Sequence, residues 1–113
     1  MYDKYLITGA TGFLGRAVVE ELVHHDAQVR ALVLHNDPYI NLLPKEVHTI
    51  VGDVCDKNSL ADFFADADSR TCVIHCAGIV SVASRPGPKL YQVNVGGTWR
   101  ILRQCLAHDV GKL

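Results

Sequence analysis

Short apolar runs that alternate with one-faced amphipathic stretches predict an α/β domain built on a doubly wound parallel sheet. Two further observations point the same way. A glycine-rich turn directly follows the first apolar run, and no internal repeat or long linker interrupts the alternation. The 113 residues suit one domain with one core. An apolar content of 49% with 20% charged residues is an ordinary globular composition, which excludes a disordered or low-complexity chain.

The first strand is read at Tyr5-Leu6-Ile7-Thr8, a continuous apolar run of the kind buried on both faces of a parallel sheet. A helix follows over 11–25, with Leu14, Ala17, Val18, Leu22 and Val23 at i, i+3, i+4 spacing and Glu20 and Glu21 left for solvent. The second strand covers 29–34 and is broken by Asn36-Asp37-Pro38. A short crossover through Tyr39, Leu42 and Leu43 leads to a third strand over 47–51, closed by Gly52. Asp56 is placed to cap a helix whose stripe is Leu60, Phe63, Phe64 and Ala67. The fourth strand spans 71–76. After a loop from Gly78 to Pro88 comes a long helix over 89–108, with Tyr91, Asn94, Thr98, Ile101 and Cys105 expected on its inward stripe. Right-handed crossovers give the strand order 3-2-1-4. The sheet is expected to be incomplete, with Gly111-Lys112-Leu113 as the first residues of a missing fifth strand.

The strongest local signal is Thr8-Gly9-Ala10-Thr11-Gly12-Phe13-Leu14-Gly15, between first strand and first helix. Gly9 suits a tight turn off the strand, Gly12 a backbone that approaches a pyrophosphate without an intervening Cβ, and Gly15 close packing of helix on strand. Phosphates placed there would meet free N–H groups and the positive end of the helix dipole. No Gly-Lys-Ser/Thr follows, so the turn is not a P-loop.

A formal net charge of −1, without a basic stripe, gives no footprint for nucleic acid. No apolar run approaches the roughly 18 residues that cross a bilayer, and the N-terminus lacks a signal-peptide pattern. A cytoplasmic location is therefore expected, without a membrane partner. Cys55, Cys72, Cys76 and Cys105 form no C-x-x-C pair and sit in or beside apolar runs, which reads as structural free thiols. The histidines show no zinc-helix spacing, and no metal site is expected.

With three more motifs the chain resembles the extended short-chain dehydrogenase/reductase family, the NAD(P)-dependent epimerase/dehydratase group. These are Gly52-Asp53-Val54 after the third strand, His75-Cys76-Ala77-Gly78 after the fourth, and Val93-Asn94-Val95-Gly96-Gly97-Thr98 in the long helix. The strand Val29-Arg30-Ala31-Leu32-Val33 also looks like the dihydroflavonol-reductase and 3β-hydroxysteroid-dehydrogenase branch. The resemblance implies a Rossmann-type NAD(P)-binding domain over 1–113, ending before the fifth strand and the substrate-binding part. It assigns the cofactor to Gly9, Thr11, Gly12, Phe13, Leu14, Gly15, Leu34, His35, Asp53, Val54, Ala77 and Gly78, with Asp53 on the adenine amino group and Val54 along the ring. Ala77 and Gly78 would let the nicotinamide ribose and phosphates pass close to backbone. His75 is read as a satisfied strand histidine, and Asn94 as a structural tie from helix to loop. Gly96 and Gly97 imply close packing of the helix.

NAD and NADP both stay open as the cofactor. Val33 and Leu34 stand where an acidic residue or an arginine usually discriminates, with Arg30 earlier and Asp37 later. The family's catalysis resembles hydride transfer assisted by a Tyr and a Lys four residues beyond it, with a Ser or Thr on the substrate oxygen. Here Tyr2, Tyr5, Tyr39 and Tyr91 have no such Lys, and Ser81 and Ser84 lie before the position of a catalytic serine. No catalytic residue is assigned. The expectation is a cofactor-binding piece of an oxidoreductase or epimerase/dehydratase, inactive alone. The alternatives are a non-catalytic dinucleotide-binding module and an interaction protein that self-associates through the fourth strand's edge.

Overall fold

The computed structural model describes residues 1–80, 84 and 87–113. Ser81 and four more residues of the expected 78–88 loop, 82, 83, 85 and 86, lie outside them; Ser84 is described and exposed. Strands β1 (Lys4–Thr8), β2 (Val29–Val33), β3 (His48–Val51) and β4 (Thr71–His75) form one parallel sheet in the order β3-β2-β1-β4. The expected order is found. Helix α1 (Phe13–His24) connects β1 to β2, and a tight turn at Ile40–Leu42 connects β2 to β3.

Side-chain alternation along the strands sorts the core onto two faces. Leu6, Leu32 and Val73 meet Leu60, Phe63, Phe64, Ile101 and Cys105 on one face. Ile7, Ala31 and Val33 meet Val19, Leu43 and Val47 on the other. Both faces are covered by apolar side chains, as the unbroken apolar runs require.

Three expected features differ in detail. The stripe of α1 lies one residue further on, with Gly15 and Val19 buried and Val18, Leu22 and Val23 half-buried, while Leu14 is 64% exposed. The close approach of Gly15 to the Gly9–Ala10 turn puts Gly15 on the inward face, with Leu14 outside it. The segment after Asp56 buries Leu60, Phe63, Phe64 and Ala67 as expected, but only Lys57–Leu60 is helical, as a 3₁₀ turn. Asp56 does cap it, accepting from the Asn58 amide at 3.1 Å. Cations from the sheet take carbonyls that a longer helix would use: Arg30 Nη1 donates to Phe63 O at 2.9 Å and Ala65 O at 2.7 Å, and Lys4 Nζ to Asp66 O at 3.1 Å.

The long helix is a continuous rod from Pro88 to Ala107 in three pieces: α2 (Pro88–Tyr91), a π-helical stretch Gln92–Gly97, and α3 (Thr98–Ala107). The wider π turns re-aim the face expected from a uniform period. Ile101 and Cys105 are buried, but Tyr91, Asn94 and Thr98 are exposed, and the inward position passes to Gly97. A Cβ there would stand 2.6 Å from Val54 Cγ2, so Gly97 is the close-packing glycine, whereas one at Gly96 would meet only the Arg100 side chain.

The segment expected to begin a fifth strand does meet the sheet. Lys112 bridges Cys72 in parallel, Val73 N donates to Lys112 O at 2.8 Å, and Gly111 N to Thr71 O at 3.0 Å. The outer edge of β4 is thus occupied at its amino end rather than wholly unpaired.

Candidate functional site

Strand order reverses between β1 and β4, and in such sheets a crevice opens at the carboxyl ends of the strands. A crevice of about 320 Å³ lies there, with Gly9, Thr11 and Gly12 on one wall, Leu34, Asp37, Asp53 and Val54 at one end, and Cys76, Ala77 and Gly78 opposite.

The three glycines of the turn meet different surroundings. Gly9 has φ +66°, and a Cβ there would stand 2.5 Å from the Cys76 carbonyl carbon and 2.6 Å from Ala77 N. Both the left-handed conformation and the contact between the two crevice loops require its bare Cα. At Gly15 a Cβ would stand 1.9 Å from Gly9 O, inside the fold. At Gly12 it would meet only Gly9 O, at 3.3 Å. Among the described residues no other atom outside the turn's own neighbours lies within 4 Å of that position. Gly12 also caps α1 without a side-chain hydrogen bond, and no acidic residue occupies the first turn. The helix therefore presents free N–H groups and an uncompensated positive end to the crevice, a cradle that fits a pyrophosphate.

Eight of the twelve sequence-assigned residues line the crevice: Gly9, Thr11, Gly12, Leu34, Asp53, Val54, Ala77 and Gly78. Phe13, Leu14, Gly15 and His35 do not. Phe13 is 94% exposed, Leu14 and His35 are exposed, and Gly15 is buried against the Gly9–Ala10 turn, so none of the four puts a side chain into the crevice. Leu32, Asp37, Cys76, Ile79, Lys89 and Val93 also line it. Lys89 and Val93 are four apart on the long helix, a spacing that could have shown them as one face.

Asp53 is half-buried and does two things at once. Its Oδ1 accepts from Cys55 N at 2.8 Å, closing the local turn, while the residue lines the crevice. Ser59 Oγ braces that turn, accepting from Asp53 N at 2.9 Å and donating towards Asp56 O at 2.8 Å. Asp37 is held similarly, with Oδ2 accepting from the Thr11 hydroxyl at 2.6 Å and Oδ1 from Tyr39 N at 2.9 Å. Arg30 is turned away towards the carbonyls of Phe63 and Ala65.

The opposite wall is set by side chains. The Thr8 hydroxyl accepts from Cys76 N and Ala77 N, both at 3.1 Å, and lies 2.6 Å from His75 Nδ1. Asn94 ties the helix to the loop as expected, its Oδ1 accepting from Ile79 N at 2.7 Å and its Nδ2 donating to Ile79 O at 2.9 Å. Burial pushes the thiols of Cys55, Cys72 and Cys76 up and that of Cys105 to about 11, so all four favour the neutral form. None is paired in a disulfide.

Comparison with known proteins identifies the lineage. The family model of the 3-beta hydroxysteroid dehydrogenase/isomerase family matches residues 6–113. The chain belongs to that family. This agrees with the extended short-chain dehydrogenase/reductase resemblance of its motifs and with the branch suggested by β2. It is 37% identical over 109 residues to 3 beta-hydroxysteroid dehydrogenase type 7 of Homo sapiens, covering 90% of this chain and 29% of that protein. It is 33% identical over 102 residues to a putative dihydroflavonol 4-reductase of Synechocystis, again covering 90% and 29%. Among solved structures, the UDP-glucose 4-epimerase of Thermus thermophilus in complex with NAD superposes with a TM-score of 0.81 at 28% identity, over 94% of this chain and 34% of that one. A short-chain dehydrogenase/reductase superfamily protein of Agrobacterium tumefaciens with bound NAD gives 0.74 at 29% identity, over 95% and 30%. The hydroxysteroid-dehydrogenase-family chain thus spans about three-tenths of the length of these relatives. No helix of the described residues is long and apolar enough to cross a membrane.

Proposed function

We propose that this chain is the dinucleotide-binding part of a larger NAD(P)-dependent oxidoreductase or epimerase/dehydratase, with the pyrophosphate at Gly12 and the amino end of α1. The observation that carries the reading is the contrast within one turn: Gly9 and Gly15 are demanded by the chain's own packing, with Cβ contacts of 2.5 and 1.9 Å, whereas a Cβ at Gly12 would meet only Gly9 O, at 3.3 Å. Asp53 and Val54 would receive the adenine end, and Ala77 and Gly78 the nicotinamide half. Domain extent and residue roles are parts of the same proposal. Catalysis is assigned to residues outside this span, because the sequence holds no Tyr-x-x-x-Lys and covers 29% of its hydroxysteroid-dehydrogenase relative.

The cofactor preference follows from Asp37. Its carboxylate lines the crevice beside Thr11, and the nearest candidate cation on β2, Arg30, is engaged elsewhere. A carboxylate there suits ribose hydroxyls and repels a 2′-phosphate. NADH is expected to bind at least about tenfold more tightly than NADPH, a preference that Asp37→Ser narrows. Calorimetric titration with both cofactors, on the parent chain and on Gly12→Val, tests the reading. Binding by the parent and none by Gly12→Val with an unchanged far-UV spectrum is the expected result; equal affinities for Gly12→Val and parent overturn it.

The four free thiols favour the reducing cytoplasm as the place of work. Self-association through the free carboxyl half of the β4 edge is a further part of the proposal. Sedimentation across a concentration series checks it, and a constant monomer counts against it.

A further inference from the structure

His75 stands outside the crevice lining, yet its ring joins three elements. The Thr8 hydroxyl has one proton and two lone pairs. Ala77 N donates to it at 3.1 Å, and Cys76 N divides between that hydroxyl and the Thr8 carbonyl, 3.1 Å from each. With two N–H groups directed at the oxygen, its own proton goes to the remaining neighbour, His75 Nδ1, at 2.6 Å. Nδ1 is therefore an acceptor, and the neutral ring carries its proton on Nε2. That proton is donated to Thr98 Oγ1 at 3.0 Å, whose own proton goes to Asn94 O at 2.8 Å. Every donor and acceptor along the chain of bonds is used in one direction.

The relay spans the crevice's rear. Thr8 immediately precedes Gly9, the residue in backbone contact with Cys76 and Ala77, and Asn94 holds Ile79 by its side chain while its carbonyl ends the relay. The π-helical stretch Gln92–Gly97 is what brings Asn94 and Thr98 towards the loop, out of the core-facing stripe. We infer that His75, in its neutral Nε2–H form, is a positioning residue that locks the Cys76-Ala77-Gly78 wall against β1 and the helix, so that protonating it releases the wall and weakens dinucleotide binding. A proton added at Nδ1 would face the Thr8 oxygen in place of its hydroxyl proton, and the hydroxyl would lose its acceptor.

The surroundings agree. Burial holds the ring below the usual histidine range, and no charged group contributes to that shift. Thr8 on β1 and Thr98 on α3 are uncharged. On the groove beside β4 the ring is accompanied by the Cys72 thiol and the Lys112 ammonium, and the neighbouring Cys76 thiol is neutral. On the crevice side the charged groups are Asp37, Asp53 and Lys89.

This inference rests on the dinucleotide reading, and the test separates the two. NAD⁺ affinity of the whole chain is measured across pH for the parent and for His75→Gln, which cannot become charged. The parent is expected to lose about tenfold in affinity as the pH falls below the ordinary histidine value of 6.5, the equivalent of about one net hydrogen bond. In His75→Gln that acid loss should vanish. Thr98→Val, which removes the acceptor without touching the crevice, should weaken binding several-fold at neutral pH. Long-range ¹H–¹⁵N spectra of the parent should show the Nε2–H tautomer of His75 at neutral pH, independently of any ligand. An acid loss that persists undiminished in His75→Gln, or an Nδ1–H tautomer, overturns the inference alone. Absence of NAD⁺ binding by the folded parent at every pH overturns the dinucleotide reading, and this inference with it.

Discussion

The two walls of the crevice are built by different physics. The β1–α1 turn is shaped chiefly by backbone contact, with Gly9 against Cys76 and Ala77 and Gly15 against Gly9, and the Thr11 hydroxyl adds one side-chain tie, to Asp37. The opposite wall hangs on side chains: Thr8 on the Cys76 and Ala77 amides, Asn94 on Ile79, and His75 between Thr8 and Thr98. Steric contact is short-ranged and insensitive to pH, whereas a polar relay responds to protonation and to loss of a single atom. A phosphate cradle needs the first property. In the dinucleotide reading proposed above, the wall beside the ribose and nicotinamide can carry the second.

Substitutions in each wall sharpen that contrast. Gly15→Ala should be the most damaging, because its Cβ would stand 1.9 Å from a backbone oxygen that has nowhere to go. A loss of about 3 kcal/mol or more, at the upper end for overpacking, is expected in urea denaturation. Wild-type stability for this variant would break the steric account. Gly12→Val should abolish dinucleotide binding while lowering the denaturation midpoint far less than Gly15→Ala does, since its Cβ meets only Gly9 O, at 3.3 Å.

Thr8→Val removes a hydroxyl from a fully buried side chain and leaves Ala77 N without its partner. The expected cost is about 1–3 kcal/mol, with weaker binding as the wall loosens. Unchanged stability would mean that the hydroxyl does not hold the loop. Asn94→Ala acts at an exposed position, and its effect should be confined to a few-fold loss of NADH affinity read by calorimetry. An effect as large as that of Gly12→Val would place Asn94 in contact with the ligand and erase the distinction between the walls.

Much of this architecture was legible beforehand. Parallel strands buried on both faces read as unbroken apolar runs, which is why Leu6-Ile7 and Ala31-Leu32-Val33 announced themselves, and right-handed crossovers left few orders for four strands. The glycine turn was equally clear, because its residue types answer to local backbone demands. The long helix was harder. A uniform period puts Tyr91, Asn94 and Thr98 inside, but two adjacent glycines admit a π-helical stretch that hands the inward position to Gly97. The helix after Asp56 was shortened for a non-local reason, since Arg30 and Lys4 from other strands claim its carbonyls.

Local order and lineage were therefore written in one dimension: the alternation of elements, the helix cap at Asp56, the glycine turn and the motifs after β3 and β4. How little room each glycine has was not: a Cβ would stand 1.9 Å from Gly9 O at Gly15 and 2.5 Å from the Cys76 carbonyl carbon at Gly9, but 3.3 Å from Gly9 O at Gly12, distances that only the fold sets. The same holds for Asp37 and Arg30, close in sequence yet turned to opposite duties, one in the crevice and one on distant carbonyls. The relay through His75 joins residues 67 and 23 positions apart. Periodicity reports the neighbours a residue has along its own element, and only packing decides the ones it meets across the fold.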